Sequence, residues 1–527
     1  MRQITRRSFL RRSACDALGA AGLSLALRQG YSRAAVERTP KRPNILFAIA
    51  DDWSWPYASV YGARAVQTPT FDRIAREGWL FSNAFTAAPQ CSPNRAATLT
   101  GRNIWQLEEA GTHASIFPNK FVVFPDLLEK AGYHVGFTAK GWGPGDWRRG
   151  GWDRNPAGPE YSSAQRSSVP ANGISKTDYA ANFAAFLERR PDDVPFFFWF
   201  GAHEPHRRYE VGSGARAGKN RDDVTVPSFL PDDPVVRNDL LDYLVEIEWF
   251  DSQLSAMLAR LESIGELENT IIVATGDNGM PFPRAKANLY EYGTHVPLAI
   301  RWPERVKAGT VSEALIGFID FAPTFLELAG VAPPAEMTGR SFLNLLTTSQ
   351  SSAAEPPRDC VLTGRERHTH ARYDNLGYPS RAIRTQEYLY IRNSKPDRWP
   401  AGDPQGYHDT DESPTKTFMI EKRDLYPELF EAAFGKRPAE ELYDIRNDPG
   451  CMHNLAARDE YAAVTKELSE KLDGLLIAQK DPRALGTGDI FESYPRVSGM
   501  RPQLGGFAER GKYNPKYQRP AETPGTM

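Results

Sequence analysis

Two pairs of oxygen-bearing residues, Asp51-Asp52 and Asp277-Asn278, stand directly after the apolar runs NILFAIA (44–50) and TIIVATG (270–276). Three carboxylates and a carboxamide are hard oxygen ligands, suited to Ca²⁺ or Mg²⁺ rather than zinc. Asp, Asn and Gly are also turn residues, and either pair alone could be turn chemistry. Two pairs at matching places favour a metal. Two further runs end in charged or titratable groups: YHVGFTA (133–139) leads into Lys140, and PFFFWFGA (195–202) into His203. Another reactive group, Cys91, opens CSPNRAATLTGR, with Pro93 and Arg95 close behind. A thiolate nucleophile would need a histidine base nearby. The Cys-x5-Arg phosphate cradle does not fit, because Arg95 stands only four residues on. A thiolate is also a soft neighbour for an oxygen-liganded alkaline-earth ion, which an oxygen nucleophile would suit better.

Short, nearly continuous apolar runs of this kind are strands buried on both faces. Helical patterns lie between them: FPDLLEKAG (124–132), and 239–264, which spaces Leu240, Leu244, Ile247, Leu254, Met257, Leu258 and Leu261 on helical turns. Alternating strands and helices predict an α/β domain with a mostly parallel sheet. Ligand sites in such sheets lie at the carboxyl ends of the strands. Asp51, Asp52, Lys140, His203, Asp277 and Asn278 are therefore expected along one edge. Around residue 350 the texture changes to TTSQSSAAEPPRD, a surface loop. AIRTQEYLYIRN (382–393) reads as strand and 459–478 as helix. The expected organisation is a catalytic domain over 40–374, a smaller C-terminal α+β domain over 375–480, and an irregular Gly/Pro-rich tail over 481–527.

Sixty-four basic and 66 acidic residues give a net charge of -2, which argues against a nucleic-acid binder. No apolar run reaches the roughly 18 residues of a membrane span. TRRSFLRR, ALGAAGLSLAL and YSRAA read together as a twin-arginine-type signal peptide over residues 1–35. The expected partner is the twin-arginine export machinery and the expected location periplasmic or secreted. That route carries folded proteins, which suits an enzyme modified before it leaves the cytoplasm. Of the four cysteines, Cys15 departs with the leader. If Cys91 is chemical, only Cys360 and Cys451 remain, too few for a disulfide-built scaffold, and their pairing is open.

CSPNRAATLTGR resembles the signature of the type I, formylglycine-dependent sulfatases. PNILFAIADDW, TPTFDRIAREG, FSNAFT, TGDNG and YEYGTHVPLAIRWP follow in that family's order, and ELYDIRNDPGCMHNLA (441–456) is similar to its C-terminal motif. AHEPHR (202–207), DNGMPFP (277–283) and NLYEYGT (288–294) are most similar to the N-sulfoglucosamine sulfohydrolase, or heparan N-sulfatase, branch. The resemblance implies an alkaline-phosphatase-like fold with a large, mostly parallel central sheet flanked by helices. It implies that a formylglycine-generating enzyme oxidises Cys91 to Cα-formylglycine. Asp51, Asp52, Asp277, Asn278 and the modified Cys91 would hold Ca²⁺, with Mg²⁺ as the alternative. One hydroxyl of the aldehyde hydrate attacks sulfur, and deprotonation of the second expels sulfate and restores the aldehyde. Arg95 would hold the hydrate, Lys140 and Lys286 the sulfate, and His203 would protonate the leaving group.

One position departs from the family pattern. Gly-Lys-x-His-x-Gly is usual at the second strand end, but here it is AKGWGPG, with Trp142 in the histidine's place. Tryptophan cannot act as a base. His113 and His206 are the candidate replacements. GWGPGDWRRGGWD (141–153) sets Trp142, Trp147 and Trp152 among Arg148 and Arg149, a composition that could stack on sugars and pair with sulfates. His206 and Arg207 could contact the sugar as well. The leading function is a sulfatase that hydrolyses a sulfate ester or N-sulfate of a sulfated sugar or glycosaminoglycan. Its rivals are a phosphatase or phosphodiesterase of the same superfold and a non-catalytic binder of sulfated glycans.

Overall fold

The computed structural model describes residues 42–303, 305–347 and 358–497. The expected leader, and the tail beyond residue 497, lie outside the described residues. The four apolar runs form β1 (Asn44–Ala50), β3 (His134–Ala139), β4 (Phe196–Gly201) and β5 (Thr270–Gly276). With β2 (Trp79–Phe85), β6 (His295–Arg301) and β7 (Thr310–Gly317) they make a seven-stranded sheet in the order β3-β4-β1-β5-β6-β2-β7. Every strand runs parallel except β6, which is antiparallel to its neighbours β5 and β2.

Period-two alternation explains why the central strands are apolar throughout. Ile45, Phe47 and Ile49 point to one face, where they join Phe197, Trp199, Phe124, Phe321 and Phe325. Leu46, Ala48 and Ala50 point to the other, against Phe198, Phe200 and the helix Pro234–Ser263. That helix has 30 residues and presents Leu240, Leu244, Ile247, Leu254, Met257, Leu258 and Leu261 to the sheet. It starts five residues before the expected 239. Asp233 caps it through Val235 N, and Pro234 sits at the first position, where its missing N–H costs nothing.

A second sheet of four antiparallel strands has the order β11-β10-β9-β8, from β8 (Val361–Arg365), β9 (Ser380–Arg384), β10 (Tyr388–Asn393) and β11 (Glu440–Asp444). Its first strand precedes the expected boundary at 375. The stretch 382–393, read as one strand, is a hairpin. Thr385 closes it by donating its N–H to Tyr388 O (2.9 Å). The helix Ala462–Ala478 brings Leu468, Leu472 and Leu476 onto Ile383, Tyr390 and Leu442, in the same apolar cluster that lines one face of the large sheet. Cys360 and Cys451 are both buried free thiols. Among the described residues no helix is long and apolar enough to cross a membrane.

Candidate active site

Strand register sets the site. β1 and β5 are in phase from Asn44↔Thr270 to Ala50↔Gly276, and Asp277 N extends the ladder to Ala50 O (2.9 Å). Asp51 and Asp277 therefore leave the sheet side by side. On β1's other flank Ala202 N donates to Ile49 O (3.1 Å) and Asp51 N to Glu204 O (2.9 Å), which fixes the loop that carries His203. Lys140 N donates to Gly201 O (2.8 Å) and sets Lys140 one strand further out. Asp52 adopts a left-handed backbone, φ 74°, which costs on the order of 1 kcal/mol in a residue with a Cβ.

Cys91 is the first residue of the helix Cys91–Thr100. The Thr-Gly after it ends that helix. Gly101 is left-handed at φ 63°, and its N–H returns to Ala97 O. A Cβ at Gly101 would also press on Met337 Sδ at 3.1 Å. Donor atoms of Asp51, Asp52, Cys91 and Asp277 all lie within 4.8 Å of one another, and all four residues are buried. Cys91 Sγ donates to Asp51 Oδ1 (3.3 Å). Lys140 Nζ lies 2.5 Å from Asp51 Oδ2, Lys286 Nζ 2.6 Å from Asp52 Oδ2, and Arg95 Nε 2.7 Å from Asp277 Oδ2. Asn278 Nδ2 donates to Asp52 Oδ1 (2.7 Å).

These carboxylates interact strongly. Burial pushes Asp51 up, but Lys140, aided by His206, Arg95 and Lys286, outweighs it and holds the carboxyl well below its usual range. Burial, then the Asp51 charge, pushes Asp277 up to about 6. Burial and Asp51 also push the Cys91 thiol up, so it is not poised as a thiolate. Asn278 Oδ1 and Arg95 Nη2 are buried with no hydrogen-bond partner. An orphaned carboxamide oxygen beside three carboxylates fits a hard divalent cation, and an orphaned guanidinium N–H beside Cys91 fits an added oxygen.

The other expected site residues divide. His203 is exposed, with its backbone N–H bonded to Tyr179 Oη (3.2 Å). His206 is 37% exposed, with Nε2 3.9 Å from Asp52 Oδ2, and one of its ring nitrogens belongs to a cluster with Asp51 and Cys91. Its Nδ1 sits 2.7 Å from Arg207 O, a carbonyl that can only accept, so Nδ1 carries the proton. Two expected sugar contacts, Trp142 and Arg207, and one candidate replacement base, His113, need correction. Trp142 is buried against Phe117 and donates Nε1–H to Ser92 O (3.1 Å), so its faces are used in packing. Arg207 is spent on both oxygens of Asp239 (2.7 and 2.9 Å) and lies between the Tyr209 and Phe282 rings. His113 is buried edge-to-face on His368, 4.5 Å between centroids. Of the other two tryptophans, Trp147 carries Arg148 over its ring (4.0 Å) and Trp152 donates to Phe117 O (2.8 Å).

Glu246, which interacts with the Glu204 charge, is 1% exposed, with both carboxyl oxygens unpartnered. Burial, then Glu204, raises it to about 9. An acid raised on folding binds its proton more tightly in the native state. Its effect on stability therefore worsens as pH climbs from the unfolded carboxyl value towards 9. Glu246→Gln is expected to stabilise the protein at pH 8 by up to about 5 kcal/mol and to have little effect at pH 4. Thermal melts across that range check the sign, and an equal shift at both pH values would count against it.

The chain matches the family model Sulfatase over residues 43–331, more than half its length, and the model for the C-terminal part of N-sulphoglucosamine sulphohydrolase over residues 284–409. It belongs to the sulfatase family and is a sulfuric ester hydrolase. It is 29% identical to human N-sulphoglucosamine sulphohydrolase over 497 residues, 85% of this chain and 93% of that protein. It is 28% identical to an ulvan-active sulfatase of Formosa agariphila over 508 residues, 88% of this chain and 80% of that protein. The fold matches a solved complex of another protein with its substrate D-glucosamine-2-N,6-O-disulfate, at TM-score 0.61 and 24% identity over 84% of this chain and 99% of that one. It also matches the phosphonate monoester hydrolase of Agrobacterium radiobacter, at TM-score 0.60 and 18% identity over 84% and 97%. These neighbours place the chain in the alkaline-phosphatase-like sulfatase fold.

Proposed function

We propose that the chain hydrolyses a sulfate ester or sulfamate of a sulfated saccharide through Cα-formylglycine formed from Cys91. The observation that carries this is the position of Cys91, whose sulfur lies among three buried carboxylates while its thiol pKa is pushed up. A thiolate nucleophile gains nothing there, whereas an oxygen nucleophile beside a hard cation does. Asp51, Asp52, Asp277 and Asn278 would hold Ca²⁺, or Mg²⁺ as the smaller alternative. The bound cation would neutralise charge on the sulfuryl oxygens. Arg95, whose Nη2 has no partner, would orient the hydrate of residue 91. Lys140 and Lys286 flank the place where the sulfuryl oxygens would sit. One hydroxyl of the hydrate would lose its proton to solvent and form the O–S bond as the bond from sulfur to the sugar oxygen or nitrogen breaks. His203 would give that atom its proton once the bound sulfate offsets Lys140, which, after burial, does most to push the free imidazole down to about 4. His206, with its lone pair on Nε2, takes the proton of the second hydroxyl. The C–O bond to sulfate then breaks and the aldehyde returns. Of the two histidines that could replace the one missing at Trp142, His206 is the one beside Cys91.

The match to the C-terminal part of N-sulphoglucosamine sulphohydrolase and the 29% identity to the human enzyme support an amino sugar or glycosaminoglycan fragment as substrate. A formylglycine-generating enzyme would act before export by the twin-arginine machinery to the periplasm or medium. Mass spectrometry of the peptide across Cys91, from a host with a formylglycine-generating enzyme, is expected to show a product about 18 Da lighter than the thiol, where ordinary cysteine oxidation adds mass instead. The same preparation should release sulfate from sulfated sugars and leave the matching sugar phosphates intact. A thiol that persists in that host overturns the reading.

A further inference from the structure

Lys286 Nζ serves two carboxylates. Asp52 Oδ2 is 2.6 Å away and Asp411 Oδ2 is 3.7 Å away. Asp411 arrives from the loop just before the helix Pro414–Glu421, far along the chain from the metal-ligand candidates. It is not among the donor atoms clustered at Cys91. Its side chain keeps 26% exposure, whereas those of Asp52 and Asp277 keep none. Among the described residues it accepts no hydrogen bond, and its one ion pair, with Lys286, is too long for a direct one.

Asp409, two residues earlier, shows what a structural carboxylate looks like in the same loop. It is buried and consumed by Arg365 (2.7 Å), Arg372 (2.6 Å) and both donors of Thr369 (3.0 and 2.9 Å). Asp411 has no such set. Burial opposes its charge, yet Lys286, the strongest of the groups acting against it, helps hold the carboxyl down to about 2, so it is ionised. Lys286 and His206 are themselves groups at the Cys91 centre. Charge bookkeeping then constrains the ligand. Arg95, Lys140 and Lys286 cancel Asp51, Asp52 and Asp277. A divalent cation leaves two positive charges, and one sulfate monoanion together with Asp411 balances them. A second anionic substituent beside Asp411 would be uncompensated, and like charges about 4 Å apart repel by several kcal/mol near a protein surface.

We propose that Asp411 is a specificity residue of this site, accepting a hydrogen bond from a hydroxyl or amino group of the sulfated sugar and rejecting a second anionic group there. This rests on the sulfatase reading above. The test uses full-length protein with converted Cys91, as wild type, Asp411→Asn and Asp411→Ala. Substrates are a sulfated amino sugar, its deoxy analogues at each position next to the sulfate, and a disulfated analogue. Asp411→Ala is expected to lower kcat/KM about 10- to 100-fold, the range for a lost hydrogen bond to a charged group. For one deoxy analogue the wild type should show a similar loss, and the two losses should not add. Asp411→Asn should raise the preference for the disulfated analogue about tenfold, a gain that a merely structural role would not produce. Losses that add for every analogue, with no change in preference, overturn the proposal. If the wild type releases sulfate from none of these sugars, the sulfatase reading itself fails. Calorimetric binding of the same sugars then decides on Asp411, and equal affinities for wild type and Asp411→Asn overturn it.

Discussion

Cys91→Ser is expected to transfer about one sulfate per molecule and then stop. The structure gives serine the same place. Residue 91 opens a buried helix and its side chain donates to Asp51 Oδ1. A serine hydroxyl can make that bond and can attack sulfur with the same charged partners around it. The O–S bond forms, and the leaving group departs with a proton from His203. The product is then an ordinary sulfate ester on a carbon with no second hydroxyl. No aldehyde can form, so the C–O bond does not break and the enzyme stays sulfated. Steady-state release should fall by about 10³-fold or more, as when one member of a concerted set is removed. The peptide across residue 91 should gain about 80 Da after incubation with substrate, the mass of a retained sulfuryl group. Cys91→Ala should show neither release nor gain. The melting temperature of either variant should stay near that of the wild type, since both side chains fit the space of the thiol. Sustained turnover by the serine variant would mean that the second hydroxyl is dispensable, and the aldehyde route would fall.

The edge of the sheet was legible because it rests on a local rule. A two-face-buried strand reads as an unbroken apolar run, and the polar residue that ends it marks the strand's carboxyl end. The runs before Asp51, Lys140, His203 and Asp277 all obey this. β2 carries polar, half-buried positions and β7 polar, exposed ones among the apolar residues, and β6 begins at a histidine and runs against its neighbours, so none gives the same signal. The hairpin at Thr385 was merged into one strand because Thr-Gln-Glu lacks the Gly or Asn that usually marks a tight turn. Side-chain commitment was the least legible property. Trp142 and Arg207 have types that could bind a sugar, and the contacts that use them up instead, Phe117, Ser92 and Asp239, are 25 to 50 residues away in sequence. Asp411 was missed for the converse reason. Nothing in YHDTDESPT separates it from Asp409, and only the fold shows that one carboxylate is consumed while the other is open.

Arg95→Ala is expected to destabilise the protein by about 3–5 kcal/mol, the range for one partner removed from a buried ion pair. Arg95 stands one helical turn after Cys91, on the same face, and is fully buried. It bonds Asp277 Oδ2 (2.7 Å), Lys140 O (2.5 Å) and Gly141 O (3.1 Å), with its guanidinium over Trp199. Truncation leaves two carbonyls without that donor, opens a cavity, and leaves Lys140, at 4.0 Å, as the nearest cation to Asp277. Arg95→Lys keeps a charge but cannot reproduce the planar fork, so it should recover only part of the loss. The pH dependence identifies the cause. Burial and Asp51 already push Asp277 up to about 6, and without Arg95 it rises further. A carboxyl raised on folding binds its proton more tightly in the native state. The deficit should therefore be smallest below about pH 6, where Asp277 is protonated in the native state with or without Arg95, and should grow from there until pH passes the new native value. Added divalent cation should narrow it, because the cation replaces part of the missing positive charge. Melts of chelator-treated and cation-loaded protein at pH 4, 6 and 8 read all three effects. A deficit independent of pH and of cation would mean that Arg95 only fills space beside Trp199, and that its bond to Asp277 contributes nothing to holding the site together.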